Sequence, residues 1–296
     1  MNDEQKGILF AILASISLGF NYIAAKLLVD LVNVETMNTI WFMFASILFF
    51  VFFVLSKKIK NLKVIIKNWK IILIIGILAT MGSILWSYAI FYSGPNKVSF
   101  IFQFNTIFTV FLGISILKER FKKIESLGVF IAIIGVLILA YSNDELNFIS
   151  TVLTLCSAFF YSLANFIVKL YVKKVDPITL AGGRSFFVFL LFLLYAMITN
   201  KIQTNIPSII FGYAFLGGLT GAFIGFILFY KALEKIKISK VIAIRSLDPL
   251  FTTIFSFLIL SIIPTINQLL GGLLIISGVA ILSLYKNKNL KNNEFQ

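Results

Sequence analysis

Histidine is absent from this 296-residue sequence, and cysteine occurs once, as Cys156 within an apolar run. Disulfide frameworks, Cys/His metal sites and histidine-based catalysis are therefore excluded. The sequence also lacks a G-x-x-x-x-G-K-S/T phosphate loop and any polar region large enough for a nucleotide site. It contains no cluster of nucleophile, base or metal ligands. We therefore predict no catalytic residues, no metal, no cofactor and no enzyme activity.

Charged residues are also scarce: they make up 13% of the chain, whereas hydrophobic residues make up 59%. A transmembrane helix needs about 20 mainly apolar residues. Ten such stretches occur, at residues 7–29, 38–55, 71–92, 98–117, 127–141, 148–171, 178–198, 209–233, 241–263 and 266–285. The first stretch is too long for a signal-peptide core and is followed by charge rather than by a cleavage site. The predicted fold class is an all-α membrane protein with ten transmembrane helices.

The formal net charge of +14 follows the loops of this predicted topology. Basic residues fill every second loop, as in the segment from Lys57 to Lys70, whereas the opposite loops hold only Lys97 and Lys201. This asymmetry is the positive-inside pattern of membrane proteins. It predicts a multi-pass protein of the cytoplasmic (inner) membrane with both termini in the cytoplasm. The expected partner of the basic loops is the lipid bilayer, and no nucleic-acid partner is predicted.

The sequence repeats itself at a spacing of 143 residues without a gap. Identical residues that this shift superimposes include the pairs Lys26 and Lys169, Thr36 and Thr179, Gly82 and Gly225, and Gly135 and Gly278. We predict two five-helix repeats, at residues 1–145 and 146–288, followed by a disordered cytoplasmic tail at 289–296. Because each repeat has an odd number of helices, the second enters the membrane from the opposite side. Such inverted halves can open a central site to each side in turn, whereas a purely structural duplication is the alternative.

Several motifs lie at fixed places in this pattern. They are the Leu-Lys-Glu-Arg sequence at 117–120, Gly128 and Gly135, the Leu-Asp-Pro-Leu-Phe sequence at 247–251, and Gln268, Gly271 and Gly278. With these residues, nearly the whole chain resembles the EamA-type ten-helix transporters of the drug/metabolite transporter superfamily. The resemblance implies a basket of helices one to four and six to nine around a central cavity, and amino acids or similar small metabolites as solutes. Members of the family have an acidic residue at the end of helix nine as well, at the position equivalent to Glu119 in helix four. This chain departs from that pattern, because it has Ile262 and Ile263 there.

Polar and aromatic side chains within the apolar spans are the candidate solute-binding residues, because polar groups at membrane depth usually face a bundle interior or a watery cavity. Tyr161 and Asn165 share one face of helix six at i+4 spacing, and Tyr22 lies on the corresponding face of helix one. Trp86 and Tyr230 can present flat walls with a polar edge. The alternatives are hydrogen bonding between helices and anchoring at the membrane interface.

Helix nine carries the strongest candidate group, since Arg245 and Asp248 share one face and their repeat counterpart in helix four includes Asn105. Arg245 or Arg184 is predicted to bind a carboxylate or phosphate of the solute, because guanidinium offers planar bidentate donors. Asp248 is predicted to be the proton-coupling group, as the only carboxylate well inside the apolar spans. The alternative is an ion pair with a structural role alone.

These patterns together predict a secondary transporter, either a permease or an exporter, that moves a small metabolite by alternating access. A flippase of lipids or lipid-linked substrates is the alternative, and it would need a cavity open sideways to the bilayer. A membrane enzyme would need convergent catalytic groups in a loop, and the sequence offers none. The oligomeric state is left open between a monomer and a homodimer.

Overall fold

The structure is a computed structural model that describes residues 2–117, 123–140 and 145–293, and the described residues form no strand. The helices are α1 (Asp3–Val29), α2 (Val34–Leu55), α3 (Lys60–Lys67), α4 (Trp69–Ile101), α5 (Phe104–Leu117), α6 (Lys123–Ala140), α7 (Glu145–Tyr171), α8 (Pro177–Ile198), α9 (Ile209–Gly217), a π-helix (Gly218–Gly225), α10 (Phe226–Lys235), α11 (Ile238–Arg245), α12 (Asp248–Leu260) and α13 (Ile266–Asn293). Helix α9, the π-helix and α10 run on as one helix, which we call the 209–235 helix. The all-helical fold class is thus as predicted.

Six helices of the described chain are long and apolar enough to cross a membrane, and shorter apolar helices lie at 127–138, 248–260 and 266–281. The protein is therefore a multi-pass membrane protein. Helix α13 continues to Asn293, so it includes residues 289–293 of the predicted disordered tail. Glu119 lies outside the described residues.

Two of the ten predicted spans are not single helices. Helix α4 is broken by a kink at Gly94, which has a positive φ of 75°. The span predicted at 98–117 begins after this kink and is interrupted again after Ile101, and the span predicted at 241–263 is interrupted after Arg245. In the second case Pro249 lacks an N–H group and its ring would clash with the carbonyl of Arg245, so the helix restarts at Asp248. The two interruptions, at Gln103 and Ser246, are 143 residues apart. They therefore fall at equivalent positions of the repeat.

Two pairs of equivalent helices of the two repeats pack antiparallel. Helices α2 and α8 each have 22 residues and are 143 positions apart. The rings of Phe42 and Phe192 stack with centroids 5.9 Å apart, whereas the later Phe49 lies against the earlier Gly182. Helices α6 and α13 cross in the same sense, with Gly135 against Gly271 and Gly278 against Gly128. This is the arrangement that two halves of opposite orientation produce, so the two-repeat architecture fits the prediction.

The buried apolar residues form two clusters. The larger one includes Val34, Phe42 and Ile210, and it extends to Ala132 and Ile275 where α6 and α13 cross. The other includes Phe53, Ile72 and Leu233, which lie near the lysine-rich loops. We call the end of the bundle at these loops the lysine-rich end.

Candidate functional site

A small cavity is lined mainly by residues of α1, α2, α4, α7 and the 209–235 helix, with Arg245 of α11. It offers about 60 Å³ to the centres of water-sized molecules, several times the roughly 10–15 Å³ that one water needs. Its wall consists of Leu18, Asn21, Tyr22, Asn38, Trp41, Phe42, Ser83, Trp86, Phe102, Tyr161, Asn165, Gly221, Ala222, Phe226 and Arg245. Both repeats contribute, so relative movement of the repeats would reshape this space.

Polar groups converge on the cavity from four helices. The side-chain amide of Asn38 donates hydrogen bonds of 2.9 Å to the Val34 carbonyl and to Ser87 Oγ. The hydroxyls of Ser83 and Tyr161 lie 2.6 Å apart. The Oδ1 atom of Asn21 is buried and has no hydrogen-bond partner among the residues that the structure describes. Fixed donors and acceptors of this kind orient a solute within an otherwise apolar pocket.

Aromatic rings form the rest of the wall. Trp86 makes edge-on contacts with Tyr22, at 5.1 Å between centroids, and with Trp41, at 6.5 Å. Tyr161 packs edge-on against Phe102 at 5.6 Å. Rings packed edge-on hold one another in place. Trp86, a predicted site residue, thus lies in the aromatic part of the wall, together with Trp41 and Phe102, which were not predicted.

The 209–235 helix approaches the cavity through its π-helical turn. Placing a Cβ at Gly221 would put it inside the side chain of Asn21, and placing one at Gly217 would put it inside the Trp41 ring. The glycines therefore permit a close approach of α1 and α2 to this helix. A π-helical segment is rare and is frequently found at functional sites, and here it supplies Gly221 and Ala222 to the cavity wall.

Arg245 stands at the junction of the main cavity and a smaller one that also contains Gln103, Asn105 and Asp248. Its Nη2 and Nε atoms donate to Asp248 Oδ2 at 2.7 and 3.1 Å, and its guanidinium carbon lies 4.6 Å from the centre of the Phe229 ring. The amide of Asn105 donates to the Ala158 carbonyl at 3.0 Å. Asp248 thus pairs with the charge of Arg245, and Arg245 also lines the main cavity.

Arg184 and Tyr230 do not line either cavity. Both are buried, with 1% and 0% of their surface exposed. The guanidinium carbon of Arg184 lies 3.8 Å from the centre of the Phe226 ring and 5.7 Å from that of Tyr161. Both rings line the main cavity, so they separate Arg184 from it.

Charged residues close the bundle near both ends. Away from the lysine-rich end, the buried Glu35 carboxylate accepts hydrogen bonds from Tyr88 Oη at 3.0 Å and Lys201 Nζ at 3.1 Å. Hydrogen bonding to Glu35 raises the pKa of Lys201, which lies in the loop after α8, above its ordinary value. At the lysine-rich end, Lys235 Nζ lies 2.8 Å from Asp3 Oδ1. These contacts join the start of α2 to the loop after α8, and α1 to α10.

Five of the nine predicted site residues line the main cavity: Tyr22, Trp86, Tyr161, Asn165 and Arg245. Asn105 and Asp248 line the smaller cavity. Asn38, Trp41 and Phe226 were not predicted. The 143-residue repeat offers a signal for Trp41, because it pairs Trp41 with Arg184, a predicted site residue. Among the described residues, no group of three or more His, Cys, Asp or Glu could hold a metal ion.

Comparison with known proteins places this architecture among transporters. The model of the EamA-like transporter family matches residues 5–141 and again residues 148–284; both ends of the two matches differ by the 143 residues of the repeat. A protein of Clostridium kluyveri called an uncharacterized transporter is 25% identical, with 96% of this chain and 94% of that relative covered. A protein of Methanothermobacter thermautotrophicus with the same description is 31% identical over the matched region. That region covers 63% of this chain and 56% of the relative's length. One crystal structure with 12% identity has the same fold, with a TM-score of 0.71, and covers 95% of this chain and 98% of its own.

Proposed function

The chain belongs to the EamA-like transporter family, and on this basis we propose that it is a secondary transporter that moves a small metabolite across the cytoplasmic membrane by alternating access. The observation that carries the proposal is the cavity with polar and aromatic walls to which both repeats contribute. Sites at the interface of inverted repeats can be exposed to one side and then to the other by movement of one repeat against the other.

The proposed topology has ten membrane crossings with both termini in the cytoplasm. In it, the interrupted pairs of helices at 98–117 and 241–263 each complete one crossing, and the lysine-rich end faces the cytoplasm, as the positive-inside pattern favours. Interrupted helices are accepted within a membrane where the freed backbone groups are buried in protein or line a cavity. The interruption after Arg245 meets this condition, because Arg245 and Asp248 line the smaller cavity.

The proposed solute is an amino acid or a related small zwitterion or anion. Arg245 supplies a cation to the cavity wall, and guanidinium suits a carboxylate. Asn38, Asn165 and Ser83 supply neutral polar groups, while Tyr22 and Trp86 supply apolar surface for a side chain. The small volume of the cavity favours a small solute.

Asp248 is the proposed proton-coupling residue. Its carboxylate is buried and is paired with Arg245, which faces the solute cavity. A solute carboxylate that binds Arg245 competes with Asp248 for the same guanidinium. Release of Asp248 from its partner would favour its protonation, because a buried carboxylate without a cation is costly in the charged form.

Counterflow uptake into proteoliposomes tests this function. A panel of labelled amino acids and nucleotide-like metabolites is offered to vesicles preloaded with the same unlabelled compound, with and without a pH gradient. Exchange of a solute identifies a carrier, and acceleration by the gradient supports coupling to protons. The Ala222→Phe variant, whose larger side chain would occupy the cavity, should lose exchange. Protein-free liposomes give the background. Movement of labelled lipids without exchange of any solute would instead identify a flippase.

A further inference from the structure

The cavity wall is only partly symmetric under the 143-residue repeat. Four pairs of equivalent residues lie in the wall together: Leu18 and Tyr161, Tyr22 and Asn165, Ser83 and Phe226, and Phe102 and Arg245. These pairs mark the region that the two repeats share. Relative movement of the repeats leaves such a central region in place while its two approaches open and close.

The remaining wall residues come mostly from the first repeat. They are Asn21, Asn38, Trp41, Phe42 and Trp86, whereas the second repeat adds only Gly221 and Ala222. The five equivalents in the second repeat are Ala164, Ala181, Arg184, Ser185 and Phe229, and each is at most 1% exposed. The structure is therefore asymmetric. Five positions line the cavity in the first repeat, whereas their equivalents in the second repeat are closed off and buried outside its wall.

The closed-off residues lie toward the lysine-rich end. Gly183, next to Arg184, packs against Ile65 and Ile72. Ile65 lies within the lysine-rich segment from Lys57 to Lys70, and Ile72 lies just after it. Gly182 packs against Phe49 and Phe53 at the end of α2. In contrast, Phe42, the equivalent of Ser185, belongs to the apolar cluster that includes Val34 and Ile210.

Three polar groups in this closed region have no hydrogen-bond partner among the described residues. They are the Nη1 and Nη2 atoms of Arg184, Ser185 Oγ and Tyr230 Oη. A buried guanidinium without a counter-charge, such as that of Arg184, is costly in free energy. Its cation–π contact with Phe226 offsets only part of this cost. Buried polar groups without a partner are the exception in native proteins, so each of these three calls for an explanation.

We propose that Arg184, Ser185 and Tyr230 form a second anion subsite, closed in this structure, that binds the carboxylate of the solute in the state open toward the lysine-rich end. This proposal rests on the alternating-access function proposed above. In that state Ser185 occupies the position that Phe42 has here, and Arg184 that of Trp41. Movement of the Phe226 and Tyr161 rings, which now separate Arg184 from the cavity, opens the subsite. The solute then has an arginine on each side of the shared central region.

Accessibility of single cysteines tests this proposal without knowledge of the solute. In a Cys156→Ala background, Ser185→Cys and its matched control Phe42→Cys are treated in oriented vesicles with anionic and cationic methanethiosulfonate reagents that do not cross membranes. We expect Ser185→Cys to react only from the lysine-rich side and Phe42→Cys only from the other. Relative to a free thiol, Ser185→Cys should prefer the anionic reagent on the order of tenfold, because Arg184 is close. Ala181→Cys gives a second position should Ser185→Cys fold poorly.

Arg184→Gln should abolish this preference, and Arg184→Lys should retain it. Reaction of neither Ser185→Cys nor Ala181→Cys from the lysine-rich side, in protein that still exchanges solute, would overturn the subsite and leave the transport function standing. A preference for the anionic reagent that survives Arg184→Gln would overturn the role of Arg184. The expected labelling in protein that exchanges no solute would instead count against transport and leave the subsite in place.

Discussion

Arg245 and Asp248 are joined across a helix interruption by two hydrogen bonds to a single carboxylate oxygen, at 2.7 and 3.1 Å. Arg245 is the last residue of α11 and Asp248 the first of α12. A cation at a helix C-terminus and an anion at a helix N-terminus are both favoured by the helix dipoles. The pair thus stabilises the interruption and places a cation at the cavity wall with the same contacts.

Asp248→Asn should reduce solute exchange more than tenfold while the protein still inserts into the membrane. The substitution keeps the shape of the side chain but leaves the Arg245 guanidinium without a counter-charge, and loss of one partner of a buried pair costs about 3–5 kcal/mol. Counterflow rates per mole of folded protein, judged by gel filtration in detergent, measure the effect. Unchanged exchange that a pH gradient still accelerates, in well-folded protein, would contradict the proposed role of the carboxylate.

Replacement of both members of this pair separates a structural role from a functional one. The double variant Arg245→Met and Asp248→Leu removes both charges at similar volume, and such replacements are often neutral or stabilising. We expect the thermal stability that Asp248→Asn loses to return, and exchange to remain absent. Recovery of exchange along with stability would show that the pair is structural.

Gly221→Ala should impair exchange, because its Cβ would overlap Asn21 and push that side chain toward the cavity. Overpacking of this kind costs about 1–3 kcal/mol and shifts the backbone. Gly212→Ala is the matched control, since it lies on the same helix and a Cβ there meets nothing within 4 Å. Equal exchange by the two variants would mean that the contact of the π-helical turn with α1 does not matter for transport.

Gly278→Val should lower thermal stability by about 1–3 kcal/mol. A side chain at Gly278 would clash with the Gly128 carbonyl and with Ala132, where α13 crosses α6. Neither helix lines the main cavity, so exchange by the folded fraction should be retained. Thermal unfolding in detergent, with Gly212→Val as the control in open space, provides the measurement. A loss of exchange that exceeds the loss of folded protein would indicate that this crossing takes part in transport.

Lys201→Met should lower the melting temperature slightly, because it removes the counter-charge of the buried Glu35. The pKa of Lys201 is raised by its hydrogen bond to Glu35, so this stabilisation is fully present below the ordinary lysine pKa of about 10.4 and is lost as the pH rises through the raised value. The difference in melting temperature between the two proteins should stay constant from about pH 6 to pH 9 and shrink above about pH 10.4. A difference that disappears between about pH 6 and pH 8 would assign the effect to another group.

Much of the architecture could be predicted from local features of the sequence. Apolar stretches, lysine-rich loops and the 143-residue repeat are properties of the chain itself, and they indicate a multi-pass helical protein built from two halves. The face that carries Tyr161 and Asn165 could be recognised because i+4 periodicity fixes neighbours on one helix. The interruption at Asp248 also follows from a local cause, since Pro249 cannot continue a helix.

Which side chains meet across the bundle depended on contacts between distant helices. The sequence predicted Arg184 and Arg245 as equivalent candidates, but only Arg245 reaches the cavity, because the rings of Phe226 and Tyr161 stand in front of Arg184. Trp41 was missed because its position depends on the close approach that Gly217 allows. Composition and periodicity thus determined the spans and the repeat, which arise along the chain. The tertiary structure decided which residues of each repeat line the cavity, because the rotation and closeness of each helix are set by its packing against others.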